Sequence, residues 1–400
     1  IMIFLFLTSG LFLGWTLGAN DAANVFGSAV GSRMVSFTRA AVIASIFVIL
    51  GAVLQGAGAS ETLGRLGTVN AMGGSFTVAL AAALTVYFMT RAGLPVSTTQ
   101  AIVGAIIGWN FFTNNAIDTQ ALTQIVATWI TGPVLGALFA YVLYHLVKIT
   151  RRRIRTHLLK YESWLRFGLM IAGAFGAYSL GANNIANVMG VFVPSIALET
   201  TDFGIFTLTG PQQLFFLGAI AIAAGILTYS RKVMQTVGAN LLELSSEAAF
   251  VVVLSQALVL FIFSSSALSG FMVKIGLPPI PLVPVSSTQV VVGSVLGIGL
   301  YKGVRNINLK VLGGIASGWI TTPVAAGVLA FLLLFFVKNL FGIDVGHSFN
   351  PPASTGEGIS TAMIIRYSIP ALLAVTAAYL VYLVLSEKKK TERLNKEYYK

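Results

Sequence analysis

Long apolar stretches separated by short polar ones run along almost the whole chain. The apolar segments fall near 1–31, 40–60, 74–90, 93–112, 122–147, 165–195, 208–229, 247–264, 277–301, 311–337 and 360–385. Most of them reach about 20 residues, which is the length that a helix needs to cross a bilayer. Strands of a membrane barrel would instead alternate apolar and polar positions over about 10 residues. The pattern therefore predicts an all-α polytopic membrane protein with about 11–12 transmembrane helices.

Composition agrees with a membrane protein. Of the 400 residues, 56% are hydrophobic and only 10% are charged, whereas soluble proteins have about 25% charged residues. This excludes a set of soluble domains, because a soluble fold could not remove that much apolar surface from water. The chain has no cysteine, which excludes disulfides and thiolate metal sites.

The basic residues predict how the chain is oriented. If residue 1 lies outside and the segments alternate, 21 of the 25 Lys and Arg residues fall on the inner side, as the positive-inside rule requires. We therefore expect the N-terminus outside, the C-terminus in the cytoplasm and a cell (inner) membrane location. The net charge of +12 then comes from cytoplasmic loops facing membrane lipid, and predicts no nucleic-acid partner.

Four motifs occur twice, in the same order. They are LGANDAANV at 17–25 and LGANNIANV at 180–188, VLQGAG at 53–58 and VMQTVG at 233–238, PVSTTQAIVG at 95–104 and PVSSTQVVVG at 284–293, and WITGP at 129–133 and WITTP at 319–323. The predicted units are repeat 1 (1–147), a basic cytoplasmic loop (148–164), repeat 2 (165–337), an extracellular loop (338–358), an extra transmembrane helix (359–386) and a cytoplasmic tail (387–400). An odd number of crossings between matched motifs makes the repeats inverted, which is a transporter architecture with its site at the repeat interface.

The first pair of motifs carries a carboxylate at membrane depth. Asp21 follows about 20 mostly apolar residues, and an ionised group there is costly unless it has a function. Gly18 and Gly181 precede the polar positions and predict broken helices or re-entrant hairpins at the motifs, with free backbone groups lining a cavity. Amide and carboxylate oxygens suit a hard cation such as sodium. The candidate cation ligands are Asn20, Asp21, Asn24, Asn183, Asn184 and Asn187.

The second pair predicts two helix starts rich in hydroxyl groups. A helix N-terminus with free N–H groups favours an anion, and two such ends could hold one tetrahedral oxyanion. The alternative is plain N-capping by Ser97 and Ser286. No Lys or Arg lies in the repeated motifs, so an anion would need cations bound with it. Cation–anion symport follows, with sodium or protons as the coupling ion.

Other polar and aromatic positions have simpler interpretations. Glu243 and Glu247 are spaced to lie on one helix face, either as acidic residues that stabilise a helix N-terminus or as a cation gate. The five tryptophans, Trp129 and Trp319 among them, are interpreted as interface anchors or packing residues.

With GANDAAN paired to GANNIAN and PVSTTQ paired to PVSSTQ, the chain closely resembles the inorganic phosphate transporter (PiT) family over about residues 1–337. The resemblance implies sodium- or proton-driven uptake of inorganic phosphate, a homodimer and an elevator-like motion. It places phosphate on Ser97, Thr98, Thr99, Ser286, Ser287 and Thr288, with Gln100 and Gln289 as second choices, and sodium on the Asn and Asp positions. One departure is Asn184, where the second signature of the family commonly carries Asp.

The alternatives to sodium–phosphate symport belong to three classes. Within transport, they are proton coupling or another tetrahedral oxyanion, sulfate or arsenate. An ion channel would need a continuous pore. A membrane enzyme would need a base or nucleophile near the midplane, but His145, His157 and His347 lie in loops or near segment ends. We therefore expect a transporter without enzyme activity, with co-transported sodium ions and no organic cofactor.

Overall fold

The computed structural model describes residues 2–91, 96–153, 157–202, 204, 206–231, 234, 245–303 and 309–346. We use "first half" for residues up to 153 and "second half" for those from 157 onward. The predicted extra helix, the cytoplasmic tail and Glu243 lie outside the described residues.

The first half contains six helices. They are α1 (Met2–Gly31), α2 (Phe37–Gln55), α3 (Ala57–Leu66), α4 (Met72–Arg91), α5 (Thr98–Thr113) and α6 (Thr119–Arg153). Asp118 begins α6 as an N-cap, since its Oδ1 accepts 2.9 Å hydrogen bonds from the backbone N–H groups of Gln120 and Ala121. These bonds and nearby Arg65 lower the pKa of the Asp118 carboxyl, as expected for a cap that is favoured in its ionised form.

The described residues of the second half form six further α-helices, a short 3-10 helix at Gly190–Phe192 and a small hairpin. The helices are α7 (Leu158–Met189), α8 (Gly210–Thr228), α9 (Ser246–Ile262), α10 (Ser266–Lys274), α11 (Ser287–Tyr301) and α12 (Leu309–Phe341). Between α7 and α8, the strands β1 (Thr201–Asp202) and β2 (Thr207–Leu208) pair antiparallel.

Seven of the described helices are long and apolar enough to span a membrane, or eight if the bent pair α9 and α10 forms one span. This confirms an all-α polytopic membrane protein. Two of the eleven predicted crossings, 93–112 and 277–301, contain shorter helices. α5 has 16 residues and α11 has 15, which is below the roughly 20 that a span needs.

The predicted helix breaks at Gly18 and Gly181 are wrong. α1 and α7 continue through both motifs without interruption. The glycines serve close packing instead, because a methyl group at Gly18 would lie 1.9 Å from the backbone oxygen of Ile222, and one at Gly181 would lie 2.1 Å from that of Val48. The non-helical chain lies instead at the other pair of motifs. Val96 precedes α5 and residues 281–286 precede α11, and none of these residues is helical.

The predicted basic loop at 148–164 is mostly helical. α6 continues to Arg153 and α7 begins at Leu158, with His157 as its N-cap. Lys and Arg are good helix formers, and Arg151, Arg152 and Arg153 occupy the last turn of α6, where positive charge stabilises the helix dipole.

Helices of the two halves pack on each other in crossed pairs. α1 packs on α8 and α2 packs on α7, while α5 packs on α12 and α11 packs on α6. The outward faces of α6 and α12 expose apolar side chains such as Ile130, Val134, Ile320 and Val324, as expected for helices at the lipid boundary. The crossed pairing brings α1, α5, α7 and α11, which carry the repeated polar motifs, into contact inside the molecule.

Candidate functional site

The four polar motifs meet around the Asp21 carboxylate. Asp21 lies on α1 and is 2% exposed. Its Oδ2 accepts a 3.0 Å hydrogen bond from the Ser287 hydroxyl, and its Oδ1 accepts a 2.8 Å bond from the Asn20 amide. Asn184, the position that corresponds to Asp21 in the second half, donates a longer bond of 3.4 Å to Oδ2. One carboxylate therefore joins side chains from both copies of the motif.

Two other asparagines bond to the hydroxyl groups of the opposite half. The Asn24 amide donates 3.1 Å bonds to Ser287 Oγ and Thr288 Oγ1. The Asn187 amide donates a 2.9 Å bond to Thr99 Oγ1. Because Asn24 corresponds to Asn187 and Thr288 to Thr99 in the repeated motifs, the same contact is made twice with the halves exchanged.

The extended segments before α5 and α11 are held at the same place. Asn183 accepts a 2.7 Å bond from the Val285 N–H and donates a 3.0 Å bond to the Val283 carbonyl. The Val96 carbonyl accepts a 3.1 Å bond from Thr288 and a 3.4 Å bond from Asn20. These bonds satisfy backbone groups that would otherwise be unpaired at this depth.

Ser97 and Ser286 are helix caps. Their Oγ atoms accept 3.2 Å and 3.3 Å bonds from the N–H groups of Gln100 and Gln289. In this conformation the two hydroxyl oxygens therefore act as N-caps, which is the alternative considered from the sequence. Thr98 Oγ1 at the start of α5 and Asn187 Oδ1 on α7 are buried without a hydrogen-bond partner among the described residues. Because Asn187 bonds to Thr99, both unused oxygens belong to the region where α5 begins.

The site is built almost entirely of neutral oxygen and nitrogen groups. Asp21 and Glu247 are the only buried charged residues in the described part of the chain. The described residues also contain no group of three or more His, Cys, Asp or Glu that could hold a metal ion. Such a donor set fits a weakly bound cation with oxygen ligands better than a transition metal.

Glu247 belongs to a separate ionic cluster. It lies in the first turn of α9, with its carboxylate 2.6 Å from Lys148 Nζ, 2.8 Å from Arg151 Nη1 and 2.9 Å from the Tyr161 hydroxyl. Two cationic partners already neutralise this carboxylate, which argues against the cation gate considered from the sequence. Lys148, Arg151 and Tyr161 were missed, because pairing across 86–99 positions leaves no local pattern.

Two surface grooves of the described structure lie away from the site. One, of about 900 Å³, follows the outer face of α6 from Thr119 to Leu135, and the other, of about 430 Å³, lies between α5 and α12. Neither groove is lined by a residue of the candidate set. The hydrogen bonds show instead that the polar motifs contact one another directly in this conformation.

Comparisons with known proteins agree on one family. Residues 17–330 match the model of the Phosphate transporter family. A relative from Methanocaldococcus jannaschii, named "Putative phosphate permease", is 29% identical over 334 residues, which cover 83% of this chain and 97% of the relative. A protein of the same name from Pyrococcus furiosus is 27% identical over an alignment 414 residues long. The alignment covers 83% of this chain and 95% of the relative.

A solved structure has a similar fold. The chain titled "The sodium-dependent phosphate transporter" superposes with a TM-score of 0.67 at 23% identity, covering 84% of this chain and 99% of that one.

Proposed function

The chain belongs to the phosphate transporter family, and from this membership we propose that it imports inorganic phosphate by symport with sodium ions. The membership supports phosphate as the substrate, and the structural neighbour's title describes that neighbour as sodium-dependent. The remaining support comes from the electrostatics of the site.

The observation that carries the proposal is the bond between Ser287 and Asp21. It places a helix start of one half, where an anion would bind, 3.0 Å from a carboxylate of the other half. An anion and a carboxylate that close would repel each other strongly in a medium of low dielectric constant. No buried Lys or Arg is present among the described residues to offset them. Cations that enter with the phosphate supply the missing charge.

Each group of residues has a proposed role. The cations bind among Asn20, Asp21, Asn24, Asn183, Asn184 and Asn187, and phosphate binds the helix starts through Ser97, Thr98, Thr99, Ser286, Ser287 and Thr288, with Gln100 and Gln289 beside them. Because the polar groups bond to one another in this conformation, bound ligands replace those bonds. Replacing a hydrogen bond with another of similar strength costs little.

The wider mechanism follows from the duplicated motifs. The exchanged contacts of Asn24 and Asn187 are those expected of inverted repeats related by an axis in the membrane plane. We propose alternating access between them, with the N-terminus outside, the C-terminus in the cytoplasm and two copies forming a homodimer.

Uptake into proteoliposomes tests the function. Radiolabelled phosphate should accumulate when an inward sodium gradient is imposed at equal pH, and should not when choline replaces sodium. Accumulation driven by a pH gradient alone, with no dependence on sodium, would establish the proton-coupled alternative. Uptake that neither gradient drives, and that does not saturate, would contradict symport of either kind.

A further inference from the structure

Four polar atoms beside the site are buried and have no hydrogen-bond partner among the described residues. They are the indole nitrogens of Trp129 and Trp319 and the amide oxygens of Gln100 and Gln289. The two glutamines are 1% and 2% exposed. An indole N–H can only donate and an amide oxygen can only accept, and leaving either one unpaired inside a protein is unfavourable.

The packing of α11 on α6 brings the donor residue Trp129 and the acceptor residue Gln289 to the same height along the two helix axes. A methyl group at Gly293 would lie 2.1 Å from the Pro133 oxygen, and one at Gly297 would lie 2.2 Å from the Ala137 oxygen. Both contacts advance by four residues in the same direction, so the two helices run parallel in a fixed register. One turn earlier, this register places Gln289 level with Trp129.

α5 and α12 repeat the arrangement with the halves exchanged. A methyl group at Gly104 would lie 2.1 Å from the Pro323 oxygen, and one at Gly108 would lie 2.3 Å from the Gly327 oxygen. The same register places Gln100 level with Trp319. Unpaired donors and acceptors at matching positions of two separate helix pairs indicate a shared role rather than a local packing defect.

Both pairs stand at the helix starts that carry the hydroxyl groups. Gln100 and Gln289 lie in the first turns of α5 and α11, directly after Thr99 and Thr288. We propose that each tryptophan–glutamine pair is a specificity element of the oxyanion site. In it, the indole N–H donates a hydrogen bond to an unprotonated phosphate oxygen, and the glutamine Oε1 accepts a hydrogen bond from the P–OH group.

This inference rests on the proposed function and adds a basis for selectivity. Inorganic phosphate and arsenate carry at least one proton near neutral pH, whereas sulfate carries none. With each amide oriented as in the structure, the buried Oε1 accepts a hydrogen bond from a protonated oxyanion but faces a bare oxygen of sulfate. Sites that leave such a group unpaired discriminate strongly against the wrong ligand.

The glutamines give the first test. Gln100→Met and Gln289→Met keep the length of the side chain and remove the acceptor. Sulfate and arsenate should be titrated as inhibitors of sodium-driven phosphate uptake in proteoliposomes. Wild-type protein should be inhibited by arsenate and hardly by sulfate. In the double variant, the preference for arsenate over sulfate should fall by about tenfold. An unchanged preference in a variant that still takes up phosphate overturns the inference.

The tryptophans give the second test. Trp129→Phe and Trp319→Phe keep an aromatic ring and remove only the N–H donor. The KM for phosphate should rise about 5- to 20-fold with a smaller change in kcat. Trp164→Phe is the matched control, because Trp164 is an exposed residue of α7 and should leave the KM unchanged. An unchanged KM in both site variants overturns the role of the indoles.

The melting temperature of each purified variant shows whether it is folded, and the glutamine variants carry the test if a tryptophan variant is not. Failure of the inference is distinct from failure of the proposed function. Wild-type protein that takes up no phosphate in any gradient contradicts the function, whereas normal uptake with unaltered selectivity in all variants contradicts only the inference.

Discussion

Asn187 donates a 2.9 Å hydrogen bond to Thr99, which lies 88 positions earlier in the other half of the chain. Asn24 makes the matching 3.1 Å bond to Thr288. Each proposed cation-binding motif therefore contacts the proposed phosphate-binding helix start of the opposite half. Moving either helix start away from its asparagine would disturb both kinds of ligand at once, which is a direct physical basis for coupling them.

Asp21→Asn should abolish sodium-driven phosphate uptake while the protein stays folded. The substitution keeps the shape of the side chain and removes the carboxylate that Ser287 and Asn20 contact. Uptake in proteoliposomes and the melting temperature would be measured together. Asp118→Asn is the control, because Asp118 caps α6 outside the site. Near-normal sodium-dependent uptake by folded Asp21→Asn would refute the role of Asp21 as a cation ligand.

Ser286→Ala and Ser287→Ala should have different effects although the residues are neighbours. Ser286 caps α11 in addition to its proposed contact with phosphate, so its loss should cost about 0.5–2 kcal/mol of stability and should also weaken phosphate binding. Ser287 donates to Asp21, so its loss should chiefly raise the sodium concentration needed for half-maximal uptake. Thermal unfolding and sodium titrations of both variants would separate the two roles. Identical profiles would show that Ser286 has no capping role distinct from the contact of Ser287 with Asp21.

Gly51→Ala should destabilise the protein by about 1–3 kcal/mol, because overpacking forces the backbone apart. A methyl group there would lie 1.9 Å from the Tyr178 backbone oxygen, where α2 packs on α7. Gly270→Ala in α10 is the matched control, since no atom of the described structure lies within 4 Å of a methyl group at that position. Melting temperatures in detergent should fall for the first variant and stay level or rise slightly for the second.

Glu247→Gln should weaken the attachment of α6 to α9. The carboxylate accepts charge-assisted bonds from Lys148 and Arg151, whose side chains are 30% and 50% exposed, so water screens part of the interaction. We expect a loss of about 1–2 kcal/mol in unfolding free energy. A double-mutant cycle with Lys148→Met would measure the coupling, and exposed Glu162→Gln would serve as the control. A coupling energy of zero would exclude this cluster as a stabilising contact.

Phosphate and sodium should each increase the affinity of the other by the same factor. Coupling free energies of 1–3 kcal/mol are typical and correspond to about 5–150-fold in affinity. Calorimetry at fixed ionic strength should show tight phosphate binding in sodium buffer and weak binding in choline or potassium buffer. Equal affinity in all three between pH 6 and 8 would rule out sodium symport.

Much of the candidate site could be predicted from the sequence, because its residues lie in motifs that occur twice. Asp21 and the asparagines are polar at membrane depth, and polar side chains there need partners, so their convergence with the Ser and Thr motifs was expected. The identity of each partner was not predictable. Asn187 makes its shorter bond to Thr99 of the other half, 2.9 Å against 3.4 Å to Asn184, because the halves pack in crossed pairs, and that arrangement is a tertiary property.

The errors have a common physical origin. Gly18 and Gly181 were expected to break helices, since glycine has a low helix propensity. In the structure, neighbouring backbone oxygens occupy the space that a side chain would need, so glycine is required by the partner helix. Trp129 and Trp319 were interpreted as interface anchors or packing residues. Their proposed pairing with the glutamines depends on the register of α6 and α12 against α11 and α5, which no local pattern shows.

The crossed pairing of α5 with α12 and of α11 with α6 has a consequence for how the protein is made. The glycine face of α5 finds its matching surface only on the half that is synthesised later, so the first half leaves the ribosome with that face uncovered. Neither half should be stable when produced alone. Two fragments divided between α6 and α7 should nevertheless assemble when they are co-expressed, since every crossed contact survives the cut. An ancestral single unit would have needed a second copy of itself to cover the same faces.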